Sequence, residues 1–137
     1  ASQLFDDCQS LTNMMIPNGV LNVEAAAFRD CYSLEKINIP SGVSSIGDSA
    51  FENCKSLKEV SIPDSVLYIG EQAFSGCSSL FSIIIPSSVK EIGEGAFYNC
   101  KFSQQTINDI IERFGNAPFV DVDSKLDSLL KRGIVFW

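Results

Sequence analysis

The five cysteines, at positions 8, 31, 54, 77 and 100, are the residues of this chain best equipped for chemistry. A thiolate can act as nucleophile, metal ligand or half of a disulfide, and the even 23-residue spacing raises the question of which role is intended. Nucleophilic catalysis needs a base beside the sulfur, and the chain contains no histidine, the commonest one. Zinc sites gather Cys-x-x-Cys pairs or mixed Cys and His clusters, and neither pattern occurs. If each 23-residue unit forms one rung of a stack, neighbouring cysteines lie about 4.8 Å apart, within reach of a bridge. Parallel side chains make the dihedral of about 90° awkward, however, and five is an odd number of partners. Burial as reduced thiols is the simplest reading, because cysteine fills small apolar spaces and is a weak S–H donor.

Acidic side chains are the second source of chemistry. Asp121 and Asp123 could be read as a hydrolytic pair, but neighbouring surface carboxylates are usually just solvated. Two aspartates also fall short of a calcium loop, which needs about six to eight oxygens. Seventeen acidic against ten basic residues give a net charge of -7, which repels nucleic-acid phosphates and anionic lipids alike. No apolar run approaches the ~20 residues that a membrane span needs. These observations lead us to expect no enzyme, no catalytic residue, no metal and no cofactor, and neither nucleic acid nor membrane insertion.

The elements that hold the cysteines repeat with them. Phe5, Phe28, Phe51, Phe74 and Phe97 each precede a cysteine by three residues, and Pro17, Pro40, Pro63 and Pro86 keep the same register, as do Leu11, Leu34, Leu57 and Leu80. A period in the range of about 20 to 50 residues marks a solenoid, whose units bury their apolar faces only against one another. One unit runs from Cys54 to Gly76. Leu57, Val60 and Ile62 predict a short strand with one buried face, leaving Glu59 and Ser61 to solvent. Pro63 stops the ladder because it has no N–H to donate. Val66 to Ile69 predicts a second short extended segment, and Gly70, matched by Gly47 and Gly93, predicts a corner at positive φ. Ala73, Phe74, Cys77 and Leu80, at offsets of three and four, predict a helical turn of one or two windings.

The segment L-x-x-I-x-I, with its proline, glycine, Ala-Phe and cysteine in fixed register, resembles the BspA-like leucine-rich repeat family over residues 1 to about 101. The resemblance implies a right-handed leucine-rich-repeat solenoid of the kind found in surface proteins of bacteria and some parasitic protists, often adhesive. It implies a cell-surface or secreted location, although no leader peptide opens this sequence. The expected fold is therefore a repeat solenoid: a leucine-rich repeat with a parallel β-sheet and short helical turns, closed by a small α-helical C-terminal cap. Leu4, Glu24 and Met14 depart from the repeat in the first unit, and Ala1 begins in mid-unit, as expected of a fragment of a longer array.

After Cys100 the register fails, since Ser103 occupies the leucine column. This divides the chain into a solenoid at residues 1–101, of about four and a half units, and a helical cap at residues 102–137. Ser103 is an N-cap for a helix to about Phe114, with Ile107, Ile110, Ile111 and Phe114 on its apolar face and Gly115 as its stop. Phe119 to Val122 predicts an extended piece, Ser124 with Asp127 a capping box for a second helix through Arg132, and Ile134 to Trp137 a terminal strand.

Leucine-rich repeats generally bind through the solvent side of their strands, which alternation places at Asn13 and Met15, Lys36 and Asn38, Glu59 and Ser61, and Ser82 and Ile84. Thr12, Glu35, Lys58 and Phe81 lie just upstream. The candidate partner-binding face is Met15, Lys36, Asn38, Glu59, Ser61, Phe81, Ser82 and Ile84, where exposed Met15, Phe81 and Ile84 would form an apolar patch among polar groups. Leu67 and Tyr68 are outward candidates on the second segment. Two functions remain open: a non-catalytic module for protein adhesion or interaction, engaging a host or extracellular-matrix protein or a glycan, and an architectural spacer capable of end-to-end self-association.

Overall fold

In the computed structural model, residue 10 and residues 12–122 are described. Among these residues, seven short strands are followed by one helix and a 3₁₀ turn. The strands are β1 (Asn13–Met15), β2 (Asn22–Val23), β3 (Lys36–Asn38), β4 (Ser45–Ile46), β5 (Glu59–Ser61), β6 (Tyr68–Ile69) and β7 (Glu91–Ile92); α1 spans Gln104–Phe114 and the 3₁₀ turn Ala117–Phe119. They form two parallel sheets, in the orders β1-β3-β5 and β2-β4-β6-β7. Every pairing joins residues 23 apart, as in Ile37 with Val60 and Ile46 with Ile69, so each repeat is one rung of the solenoid. The second extended segment is thus a sheet in its own right.

The repeat columns form the core. Leu34, Leu57 and Leu80 are fully buried, as are Ala50, Ala73 and Ala96, and Val43 and Val66. Phe28, Phe51 and Phe74 stack nearly face to face, with centroids 5.2 and 5.1 Å apart. Phe97 continues the column at 5.7 Å, and then packs at a tilt on Phe102, 5.3 Å away.

The expected helical turn is not helical. Backbone donors alternate there: the N–H groups of Ser49, Phe51 and Asn53 bond to the carbonyls of Glu71, Ala73 and Ser75 on the next rung. Those of Ala50, Glu52 and Cys54 bond three residues back, to Gly47, Ser49 and Phe51. An α-helix uses every donor within its own turn, so a segment that lends every second one to its neighbour becomes a chain of tight turns. Stacking, rather than local propensity, sets this geometry, and it holds Ser49 and Asn53 at φ 58° and 60° in the left-handed region.

The corner glycines also differ from expectation. None of Gly47, Gly70 and Gly93 is among the glycines of positive φ. They are required because the rungs touch there: a Cβ on Gly47 would lie 2.6 Å from the Ala25 nitrogen, and one on Gly70 2.6 Å from that of Asp48. The column is a backbone-to-backbone contact, which only hydrogen fits.

Helix α1 begins where Ser103 caps it, its Oγ accepting from the Thr106 N–H, and ends at Gly115 with φ 73°. The chain then returns across the last rung. Gly95 and Phe97 donate their N–H groups to the carbonyls of Ala117 and Pro118, so this segment supplies acceptors that the next repeat would otherwise offer. Phe119 therefore belongs to the 3₁₀ turn, where an extended piece was expected, and Val120 after it is extended. The second helix and the terminal strand expected beyond Ser124 lie outside the described residues.

Candidate interaction face

The outward side of the first sheet is built by alternation. In β3 and β5 the middle residues, Ile37 and Val60, turn inward, while Lys36, Asn38, Glu59 and Ser61 are exposed. Met15 is 75% exposed at the end of β1. Aligned columns bring charges together across rungs: Lys36 reaches Glu59 at 3.6 Å, and Lys58 reaches Glu35 at 3.6 Å. The two pairs run in opposite senses side by side, a neutral quartet at the centre of the face. Exposed pairs of this kind contribute little stability, about 0.2–1 kcal/mol each.

The fourth rung departs from the expected strand. Ser82 and Ile84 are exposed and Ile83 turns inward, as alternation requires, but the segment does not pair with β5. The second sheet, by contrast, continues unbroken from β6 to β7. The bonds of this rung lie on its other side: Leu80 and Phe81 give their carbonyls to the N–H groups of Lys101 and Ser103, and Arg113 at the end of α1 donates to the carbonyls of Ile85 and Pro86 at 2.7 and 2.9 Å. The fourth rung is thus bonded on its far side to the segment that covers the solenoid.

Two shallow clefts flank this rung. One, of about 380 Å³, lies toward β5 and is lined by Lys58, Glu59, Asp64, Ser82 and Ile84 among others. The other, of about 200 Å³, lies toward α1, between Ile84 and the helix residues Thr106, Asp109 and Arg113. Ile84, 86% exposed, forms the ridge between them, and Phe81, 61% exposed, stands upstream of it. The clefts escaped sequence reasoning because α1, outside the repeat, makes one wall. Asp64 was readable as an exposed turn residue after Pro63, but nothing marked it as a neighbour of Ile84.

A separate open depression of about 640 Å³ runs along the second sheet, with Tyr68, Glu91 and Arg113 on its walls. Tyr68 is 44% exposed there, and Leu67 is half-buried.

The cysteines lie away from all of these surfaces. Cys31, Cys54 and Cys77 are fully buried and Cys100 is partly buried, none of the four in a disulfide; Cys8 lies outside the described residues. Each thiol bonds back to the preceding rung: Cys54 Sγ donates to the Phe28 carbonyl at 3.1 Å, Cys77 to Phe51 at 3.2 Å and Cys100 to Phe74 at 3.2 Å. In all three cases, Phe28, Phe51 and Phe74, the same carbonyl accepts the N–H of the cysteine three residues on, so the thiol occupies a second lone pair. Burial pushes the Cys54 and Cys77 thiols far above their ordinary range and Cys100 up to about 12. Of the proposed acidic pair, Asp121 accepts from the Tyr98 hydroxyl at 3.1 Å, and Asp123 lies outside the described residues. Among the described residues no cluster of three or more His, Cys, Asp or Glu could hold a metal ion, and no helix is long and apolar enough to cross a membrane.

A family model described as a BspA-type leucine-rich repeat region matches residues 1–125 in six copies. Among solved structures, the chain is similar to the leucine-rich repeat protein of T. pallidum, with 37% identity and a TM-score of 0.72 over 74% of this chain and 48% of that one. It also resembles a leucine-rich repeat protein of Eubacterium ventriosum, with 26% identity and a TM-score of 0.71 over 75% of this chain and 28% of the other. A leucine-rich cell surface protein of Faecalibacterium prausnitzii gives 28% identity and a TM-score of 0.60 over 70% and 34%. The chain spans about half the length of the T. pallidum protein and less of the other two. No curated protein matches it.

Proposed function

This chain belongs to the BspA-type leucine-rich repeat family, and from that premise we propose that it is a non-catalytic interaction module of a surface-exposed or secreted protein, binding a protein or glycan through the outward face of its first sheet. One observation carries the reading. Of the six large hydrophobic side chains that the described surface exposes, three, Met15, Phe81 and Ile84, lie on this single face. Scattered exposed apolar residues are ordinary, whereas several on one varied polar face fit a contact surface. The absence of histidine supports a non-catalytic role, and the F. prausnitzii structure described as a cell surface protein supports the location.

A panel of immobilised extracellular-matrix proteins and glycans tests the proposal. Binding that is lost in a Phe81→Ser/Ile84→Ser variant and kept in Tyr68→Ser, on the other sheet, is the expected result. Loss in Tyr68→Ser with retention in the double variant would move the site to the second sheet and overturn the reading.

A further inference from the structure

Resting on the sheet-face reading above, we infer that the anchor of the face is the fourth rung and that its partner is a protein segment with an apolar centre and a basic flank that meets Asp64. Ile84 is the most exposed large hydrophobic side chain of the described surface, and it stands between two clefts. A ridge bordered by concavities gives a partner side chain walls to pack against, which a flat sheet does not.

Charge gives the chemistry of the flanks. Asp64 borders the first cleft and Asp109 the second, one carboxylate on each side of Ile84. Lys58 pairs with Glu35 and Lys36 with Glu59, which leaves Asp64 as the uncompensated charge of the first cleft. Arg113 bonds only neutral carbonyls and keeps its charge beside Asp109 in the second. Asp109 takes an amide N–H from Gln105, which leaves its charge in place. A net charge of -7 adds a field that attracts basic segments and disfavours a second copy of this chain. A glycan is the weaker fit, because the exposed centre of the ridge is a branched aliphatic side chain with no hydroxyl or amide of its own.

Three fluorescent peptides sharing a Leu-Phe-Leu centre, flanked on both sides by lysines, glutamates or serines, supply the probe. Binding is read by anisotropy and by amide shifts of the intact chain. The lysine-flanked peptide is expected to bind about tenfold or more tightly than the other two, and to weaken as salt rises from about 50 to 500 mM. Its shifts are expected at residues 82–85 and 106–109. Ile84→Ser should weaken it about tenfold, Asp64→Asn should erase the preference for lysine, and Tyr68→Ser should leave it unchanged. Equal binding of all three peptides that is lost in Ile84→Ser would overturn the charge inference while leaving the sheet-face reading intact. Shifts confined to the second sheet, or no effect of Ile84→Ser, would overturn both. Competition by a neutral oligosaccharide at residues 82–85, or concentration-dependent dimerisation lost in Ile84→Ser, would overturn the choice of partner.

Discussion

Gly70→Ala separates the two explanations for the corner glycines, positive φ and contact between rungs. Gly70 is not at positive φ, yet its Cβ would lie 2.6 Å from the Asp48 nitrogen and 2.8 Å from the Gly47 carbonyl carbon. Both atoms are backbone of the preceding rung and cannot rotate away. Restoring ordinary contact requires the rungs to part by roughly 0.8 Å, which strains the 2.8 Å bond from Gly70 N–H to the Ile46 carbonyl and the 2.9 Å bond from Glu71 N–H to the Asp48 carboxylate. Overpacking of about 2 kcal/mol and about 0.5 kcal/mol for each of the two weakened hydrogen bonds give a loss of about 3 kcal/mol. For a chain of this length that corresponds to a fall in Tm of about 10 °C. Gly19→Ala is the control: Gly19 has φ +96° but nothing within 4 Å of the added carbon, so its cost is backbone strain of about 1 kcal/mol, or roughly 3–4 °C. Thermal and urea unfolding followed by circular dichroism measure both variants. A Gly70→Ala variant no less stable than Gly19→Ala would refute the contact argument.

The other two stability predictions concern the thiols and the cap. Unfolded thiols ionise near 9.0, while native Cys54, Cys77 and Cys100 hold their protons well beyond it. The unfolded state therefore loses protons first, and the stability these thiols contribute, full below pH 9, falls as pH rises, by about 1.4 kcal/mol per unit for each thiol. Urea midpoints measured from pH 8 to 11 should decline, and Cys54→Ala should decline less steeply; a flat profile would count against the buried ladder. Arg113→Met removes two hydrogen bonds that tie α1 to the fourth rung, at a cost of about 1–3 kcal/mol, and should raise amide exchange across residues 104–114. Unchanged exchange would show that the apolar face of α1 suffices.

What the sequence made legible, and what it hid, follows from how a stack distributes its constraints. A residue that touches its own copy on the next rung must match it, so Phe51, Leu57, Val66 and Cys54 recur every 23 residues and declare themselves inward by their period alone. The same repetition concealed why each is there. Gly70 recurs because of a backbone one rung away, and Ser49 and Asn53 accept left-handed φ because alternate donors are pledged across rungs. Local rules see neither, since the deciding contact lies 23 residues distant, and they return a positive-φ corner and a helical turn instead. The outward columns escape the matching constraint altogether. Alternation identifies Lys36, Glu59 and Ile84 as exposed, but it cannot show that Ile84 stands apart, because the difference comes from Lys101, Ser103 and Arg113 binding the fourth rung from outside the repeat. A solenoid differentiates its surface where periodicity ends, and an end is fixed by residues that obey no period. The junction between the last rung and its cover is therefore where a repeat protein most readily builds a surface unlike the rest of its face, and here that junction carries Phe81 and Ile84.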